Sequence, residues 1–231
     1  GSTNVDIVSL TNPATSSTVA GIVTAGSGTG DLVKLTSTTG DITIKKAITA
    51  AGGAADVALE ATAGQILQGA VGERVKGNNV TLTADTGIGA TGAGNAVETA
   101  STNLAAKTTT SGSIFVKETD GTAINAVTID GVTVTGVTTA ASAGGDVIKL
   151  TSTTGDISIK EVVTAGSSGA GDDVALIASA GQILQGTATK TISGNNVAWK
   201  LDRLTGQAYG CEESEFGPFC IPAPNQIKHT Q

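Results

Sequence analysis

"GDLVKLTSTTGDITI", Gly30 to Ile44, returns almost unchanged as "GDVIKLTSTTGDISI", Gly145 to Ile159. Within it apolar and polar residues alternate, so Ile42 and Ile44 point one way and Thr43 and Lys45 the other. The β-branched residues favour strands, and the Gly-Asp and Thr-Thr-Gly clusters between them favour turns. The offset between the copies is 115 residues (145 − 30). Two further motifs repeat at 117: "GQILQG" at 64–69 and 181–186, and "GNNV" at 77–80 and 194–197. The second copy therefore holds two extra residues, which the Gly/Ser stretch from Ala165 to Asp173 can absorb in a loop.

A shorter period runs inside the long one. Strand-like openings start at Asp31, Asp56 and Asn79, in steps of 25 and 23, and a second series starts at Asp41, Gln65 and about Gly87, in steps of 24 and 22. The second copy repeats the first series from Asp146 to Asp173 to Asn196. In "NVTLTA", Val80 and Leu82 face one side and Thr81 and Thr83 the other. No segment carries a capped helical stripe. Short strands, Gly-marked corners and a common period near 24 predict a parallel β-solenoid, in which coils pair in parallel and like side chains stack into Val, Ile and Leu ladders. A narrow bore also explains an aromatic content of 2%. About nine coils at roughly 4.8 Å each would make a rod about 40–45 Å long. A β-sandwich has turn signals at similar spacing but no reason to repeat them.

Composition narrows the function classes. The net charge is −7, with Lys and Arg scattered singly, so there is no basic stripe for nucleic acid and no attraction to an anionic membrane surface. No apolar run approaches the roughly 20 residues that span a bilayer. Low charge with abundant Gly, Ser and Thr would suit disorder, but the regular Val/Ile/Leu spacing argues against it. The chain contains no Met, and Gly1-Ser2 reads as an expression remnant, so a piece of a longer protein is expected.

Composition changes near residue 199. Four of the five aromatics, Trp199, Tyr209, Phe216 and Phe219, and three of the four prolines lie in the last 33 residues. The 117-residue offset puts Trp199 at the repeat position of Leu82, an inward one, where a large ring would plug the bore of the last coil. Trp199 is thus expected to cap the solenoid end, with a ligand-stacking ring as the alternative. The expected organisation is a stalk over 3–198 and a cap and tail over 199–231. The only cysteines, Cys211 and Cys220, enclose eight residues that include the turn signal Gly217-Pro218. In an exported chain such a pair should be oxidised, worth roughly 2.5–3 kcal/mol in loop entropy. No metal site is expected, because the sole histidine is His229, and neither is a redox role, which would need a tighter spacing and an activated thiolate.

Catalysis, cofactors and bound ions find little support in the pattern. Asp31, Asp41, Asp56, Asp146, Asp156 and Asp173 stand at strand starts, where such side chains bond the backbone of a turn. Clustered carboxylates with aromatic platforms, as a polysaccharide-active enzyme needs, are not evident. "GGAAD" (Gly52 to Asp56) and "GAGDD" (Gly169 to Asp173) lack the tandem array of a calcium-binding repeat, and the Thr-rich stretches are too irregular for an ice-ordering face. "NVT" (Asn79 to Thr81) fits a glycosylation acceptor, although a turn Asn beside a strand accounts for it equally simply.

"GQILQG", "GNNVTLTADTGIGA" and "SGSIFVKETDG" resemble the stalk repeats of filamentous-haemagglutinin-like exoproteins, the large bacterial adhesins exported by two-partner secretion. The resemblance covers about residues 16–200. It implies an all-β, right-handed parallel β-helix with a capped, disulfide-closed C-terminal tail, no catalysis and no cofactor. It also implies export through an outer-membrane two-partner transporter, and a host-cell or biofilm polysaccharide as ligand of the full-length protein. "CEESEFGPFC" resembles the family's cysteine hook, a knot that jams in the transporter and leaves the adhesin tethered at the cell surface. A disulfide that only tidies a frayed end is the plainer alternative for the pair. A solenoid module that grips carbohydrate or protein is the alternative for the chain as a whole.

Overall fold

The computed structural model describes residues 5–7, 9–12, 17–24, 30–140, 145–166, 171–186, 190–194, 196–201, 209–214 and 217–222, with side chains described only between 21 and 197. It is a parallel β-solenoid, and the described residues contain no helix. Three ladders run along it. A leucine ladder climbs Leu35–Leu59–Leu82–Ala106–Val137–Val163–Ile192. An isoleucine ladder climbs Ile42–Ile66–Ile88–Ile114–Ile148–Val174–Val197. The third, Ile22–Ile48–Val75–Thr99–Glu118–Ser152–Ala178–Leu201, turns polar at its middle. Ile42, Ile66, Ile88, Leu82 and Leu104 are fully buried, each covered above and below by the neighbouring rungs. One coil alone could not exclude water from its own inward residues, so stacking supplies the core.

Counted along the third ladder there are six turns from Ile22 to Ala178 and one more rung at Leu201, about 30–35 Å at about 4.8 Å per step. That is shorter than the nine coils expected from a constant period. The turn from Glu118 to Ser152 takes 34 residues (152 − 118), and the turn from Ile48 to Val75 takes 27 (75 − 48). The isoleucine series keeps the expected steps, Ile42 to Ile66 to Ile88. The first series is corrected by one residue in both copies, because Asp56 pairs with Leu32 and Asp173 with Val147, rather than with Asp31 and Asp146. The last rung strand, Asn196–Leu201, carries the stacking register past residue 198.

The repeated motifs are corner fasteners between coils. Asp41 Oδ1 accepts from the Gln65 amide at 2.8 Å, and Asp156 Oδ1 from the Gln182 amide at 2.8 Å. The second glutamine of each "GQILQG" crosses its own loop: Gln68 Nε2 donates to the Glu73 carbonyl and Gln185 Nε2 to the Lys190 carbonyl. An ion pair survives between the copies with its polarity reversed, Lys46–Glu73 at 3.0 Å against Lys190–Glu161 at 2.8 Å. Glycine is required where two corners touch; a Cβ on Gly155 would collide with the Asp120 carbonyl.

The two copies do not lie in phase. Leu35 belongs to the leucine ladder, but its counterpart Leu150 stands one face away, in the row Val97–Val116–Leu150–Leu176–Trp199. The twelve-residue strand Val97–Thr108 makes the change. Its first half carries Val116–Glu118, and its second half carries Thr122–Ile124 and Val137–Thr138 above it.

Between those last two segments a hairpin leaves the stack, Ala126–Ile129 paired antiparallel with Val132–Thr135. Its reversal is the pair Asp130 (φ 49°) and Gly131 (φ 75°), the left-handed conformation of a two-residue hairpin turn. Val127, Ile129 and Val134 form a second apolar cluster with Ala105, against which Ala58 packs. The outward row beneath, Lys34–Ala58–Thr81–Ala105, is small at its centre and leaves room for the hairpin. At the tip Asp130 meets Lys34 at 2.6 Å, and each raises the charge preference of the other. The hairpin thus starts in the fifth turn and reaches back to the first.

Candidate functional site

The tail comes first, because the sequence places its candidates there. Tyr209–Ser214 and Gly217–Pro222 form an antiparallel hairpin, and the second strand lies against the last rung strand Asn196–Leu201. In its register Cys211 is opposite Cys220. The chain reverses between Ser214 and Gly217, two residues before the turn expected at Gly217-Pro218, and Pro218 instead stands opposite Glu213 within a strand. A strand of a two-stranded hairpin tolerates proline because one side of it needs no donor. The register sets Trp199 above Leu150 and Leu176, as the repeat arithmetic expects. The side chains of Trp199, Tyr209, Phe216 and Phe219, on which the end-cap expectation rests, lie outside the described residues, and so does His229.

The aspartates do what their positions imply, with one difference. Three of them fasten one coil to another: Asp146 Oδ1 accepts from the Gly112 amide at 3.0 Å, as Asp41 and Asp156 accept from the coil beyond them. Asp56 starts a stacked amide row. Asn79 Nδ2 donates to Asp56 Oδ1 at 2.8 Å, Asn103 to Asn79 at 2.9 Å, and Asn125 to Asn103 at 3.1 Å. Asn125 Oδ1 closes the row on the Ala126 amide at 2.9 Å. The Asn79 amide nitrogen that a glycan would occupy is therefore engaged. No three His, Cys, Asp or Glu side chains gather to hold a metal ion among the described residues.

A notch of about 740 Å³ lies at the corner that follows the third ladder. Its floor is two tight corners, Gly77-Asn78 and Ser101-Thr102, on successive turns. One wall is the longer corner at Ala51–Gly53, and the other is built from Asp120-Gly121 and Asp156 on the fifth and sixth turns. The phase change explains this shape. Below the strand Val97–Thr108 the corner is the tight Asn type of the first copy; above it, the same corner is the protruding Thr-Gly type, "ETDG" stacked under "STTG". The walls stand roughly 14 Å apart along the axis, three steps at about 4.8 Å.

Under the upper wall lies a feature the sequence reading passed over. Ile114, Val116 and Glu118 follow the inward period, so a carboxyl points into the bore, fully buried, where the neighbouring corner has Ser152. Ser152 closes its corner with an Oγ donation to the Gly155 carbonyl at 2.6 Å. Glu118 instead collects four donors. Oε1 accepts from the Ser101 amide at 3.0 Å and the Thr119 amide at 3.1 Å; Oε2 accepts from Thr99 Oγ1 at 2.7 Å and Ser101 Oγ at 2.9 Å. Ser101 Oγ also lies 3.1 Å from Thr122 Oγ1, which lines the notch. Burial pushes the carboxyl up to about 7 against the pull of the Thr99 and Ser101 hydrogen bonds, and the nearby Asp120 carboxylate pushes it the same way. The chain matches no known protein family, no curated protein and no solved structure.

Proposed function

We propose that this chain is the C-terminal stalk and cell-surface anchor of a secreted bacterial adhesin of the filamentous-haemagglutinin type, performing no chemistry of its own. The observation that carries the reading is the tail hairpin against the last rung, with Cys211 opposite Cys220. Opposed residues of an antiparallel pair have Cα atoms about 4.5–5.5 Å apart, inside the roughly 4.4–6.8 Å window of a disulfide. Oxidation would close a loop that no pulling force can draw out into a single extended strand. Such a loop is a stop for a chain threading a narrow transporter pore, and the stacked rod beyond it supplies reach. The parallel stack supports the stalk half of the reading, since its length is set by turn number and its sides are mostly small and polar. The expected location is outside the cell, tethered at the outer-membrane surface through the two-partner transporter.

The test is Cys211→Ser in the parent protein, with cell-bound and released adhesin measured separately. Release into the medium with the solenoid's circular dichroism unchanged is the expected result; undiminished retention would refute the anchor. Intact mass with and without reductant reports directly whether the two thiols are joined.

A further inference from the structure

We propose that the corner notch is a glycan-binding site, which takes a short stretch of polysaccharide lacking acidic groups. Its volume, about 740 Å³, falls in the range of small-ligand sites and far exceeds the space of a few ordered waters. Its lining fits hydroxyl-rich ligands and little else. Asn78, Thr102 and Ser158 offer groups that donate and accept, as sugar hydroxyls do, so one surface can satisfy both senses of a hydroxyl network. The apolar part of the lining is only Ala and Gly, which gives no purchase to a lipid chain or an aromatic ligand. Charge excludes the remaining class. Asp120 and Asp156 are exposed on one wall and Lys76 is the single cation among the lining residues, within a chain of net charge −7. Phosphate, sulfate and uronate groups would be repelled, whereas neutral or amino-bearing sugars would not.

The site is also rigid in advance. The floor residues lie within the strands Val75–Ala84 and Val97–Thr108, held by parallel ladders, and Glu118 beside the upper wall is fixed by Thr99, Ser101 and Thr119. With no aromatic platform in the lining, affinity should be weak, with Kd on the order of a millimolar. A stalk carried in many copies on a cell would turn weak single sites into avidity.

The test uses the purified 231-residue chain, isotope-labelled, titrated by NMR with neutral glucan oligomers, partly deacetylated N-acetylglucosamine oligomers and, as the acidic probe, oligogalacturonate. The expected result is saturable shifts confined to the notch with a non-acidic probe. Thr102→Trp, which fills an exposed floor position, should weaken binding at least about tenfold. Thr128→Trp, at an exposed hairpin position outside the notch lining, should keep binding within about twofold, which controls for a general effect of an added indole. No binding by any probe up to about 10 mM, equal binding by Thr102→Trp, or tighter binding of the acidic oligomer would each overturn the proposal. It stands apart from the anchor reading, because it is measured on the isolated chain and the anchor by retention on cells.

Discussion

Glu118→Gln should change how the solenoid responds to pH. Glu118 is fully buried and titrates near 7 in the folded chain, against 4.5 for a free glutamate. The folded state therefore holds a proton that the unfolded state releases across that interval. The Glu118 contribution to folding stability is fully present below about 4.5 and is lost as pH rises to about 7, the reverse of the usual salt-bridged carboxylate. At about 1.4 kcal/mol per pH unit, the loss comes to about 3 kcal/mol. Glutamine imitates the protonated acid: its carbonyl can accept from the Ser101 and Thr119 amides, and its NH₂ can donate towards Asp120. The hydroxyls of Thr99 and Ser101 can turn to suit it. Urea unfolding followed by far-UV circular dichroism at several pH values gives the comparison. The variant should match the parent near pH 4.5 and exceed it by about 3 kcal/mol near pH 8. Because every other titrating group is common to both chains, their difference isolates this carboxyl. Parallel pH profiles for the two proteins would refute the assignment.

Asn103→Ala should cost about 1–3 kcal/mol in the same assay, because it strands the Asn79 carbonyl oxygen and the Asn125 amide in one step. Gly155→Ala should destabilise the sixth turn and displace the Asp120 corner against which its Cβ would press, visible as shifted Asp120 and Gly121 amide resonances. Ile129→Ala should cost about 2–4 kcal/mol by hollowing the cluster under the hairpin, whereas Lys34→Ala should leave the unfolding midpoint almost unchanged, since its ion pair with Asp130 is solvent-exposed.

Much of the fold was legible because the inward rows are written plainly. Ile42, Ile66 and Ile88 can be stacked from sequence alone, and the corner fasteners announce themselves as repeated Gly-Asp and Gly-Gln pairs. The out-of-phase copies were hinted at by arithmetic, since an offset of 115 is not a whole number of periods near 24, but the face on which each copy lands depends on how the intervening turns are spent. The hairpin had a readable signal in Asp130-Gly131 between two alternating apolar runs, and this excursion stretches one turn to 34 residues. The candidate site was less legible. Cys211 and Cys220 stood out by rarity, and their opposition across a hairpin follows once the turn is placed. The notch did not, because its lining residues are scattered over five turns from Thr49 to Ser158 and become neighbours only through the stack. Glu118 sat at a readable inward position after Ile114 and Val116, yet nothing local says that Ser101, one coil below, will answer it.

In a plain coil stack each layer grips only the next, so a pull along the axis can peel layers off one at a time. The Ala126–Thr135 excursion alters that. Rooted in the fifth turn, it presses on Ala105 and Ala58 and touches Lys34, layers that would otherwise part in sequence. To separate any two of them, a load must first strip the excursion away, so the lower half of the shaft should yield as one block at a higher force than a bare stack of equal height.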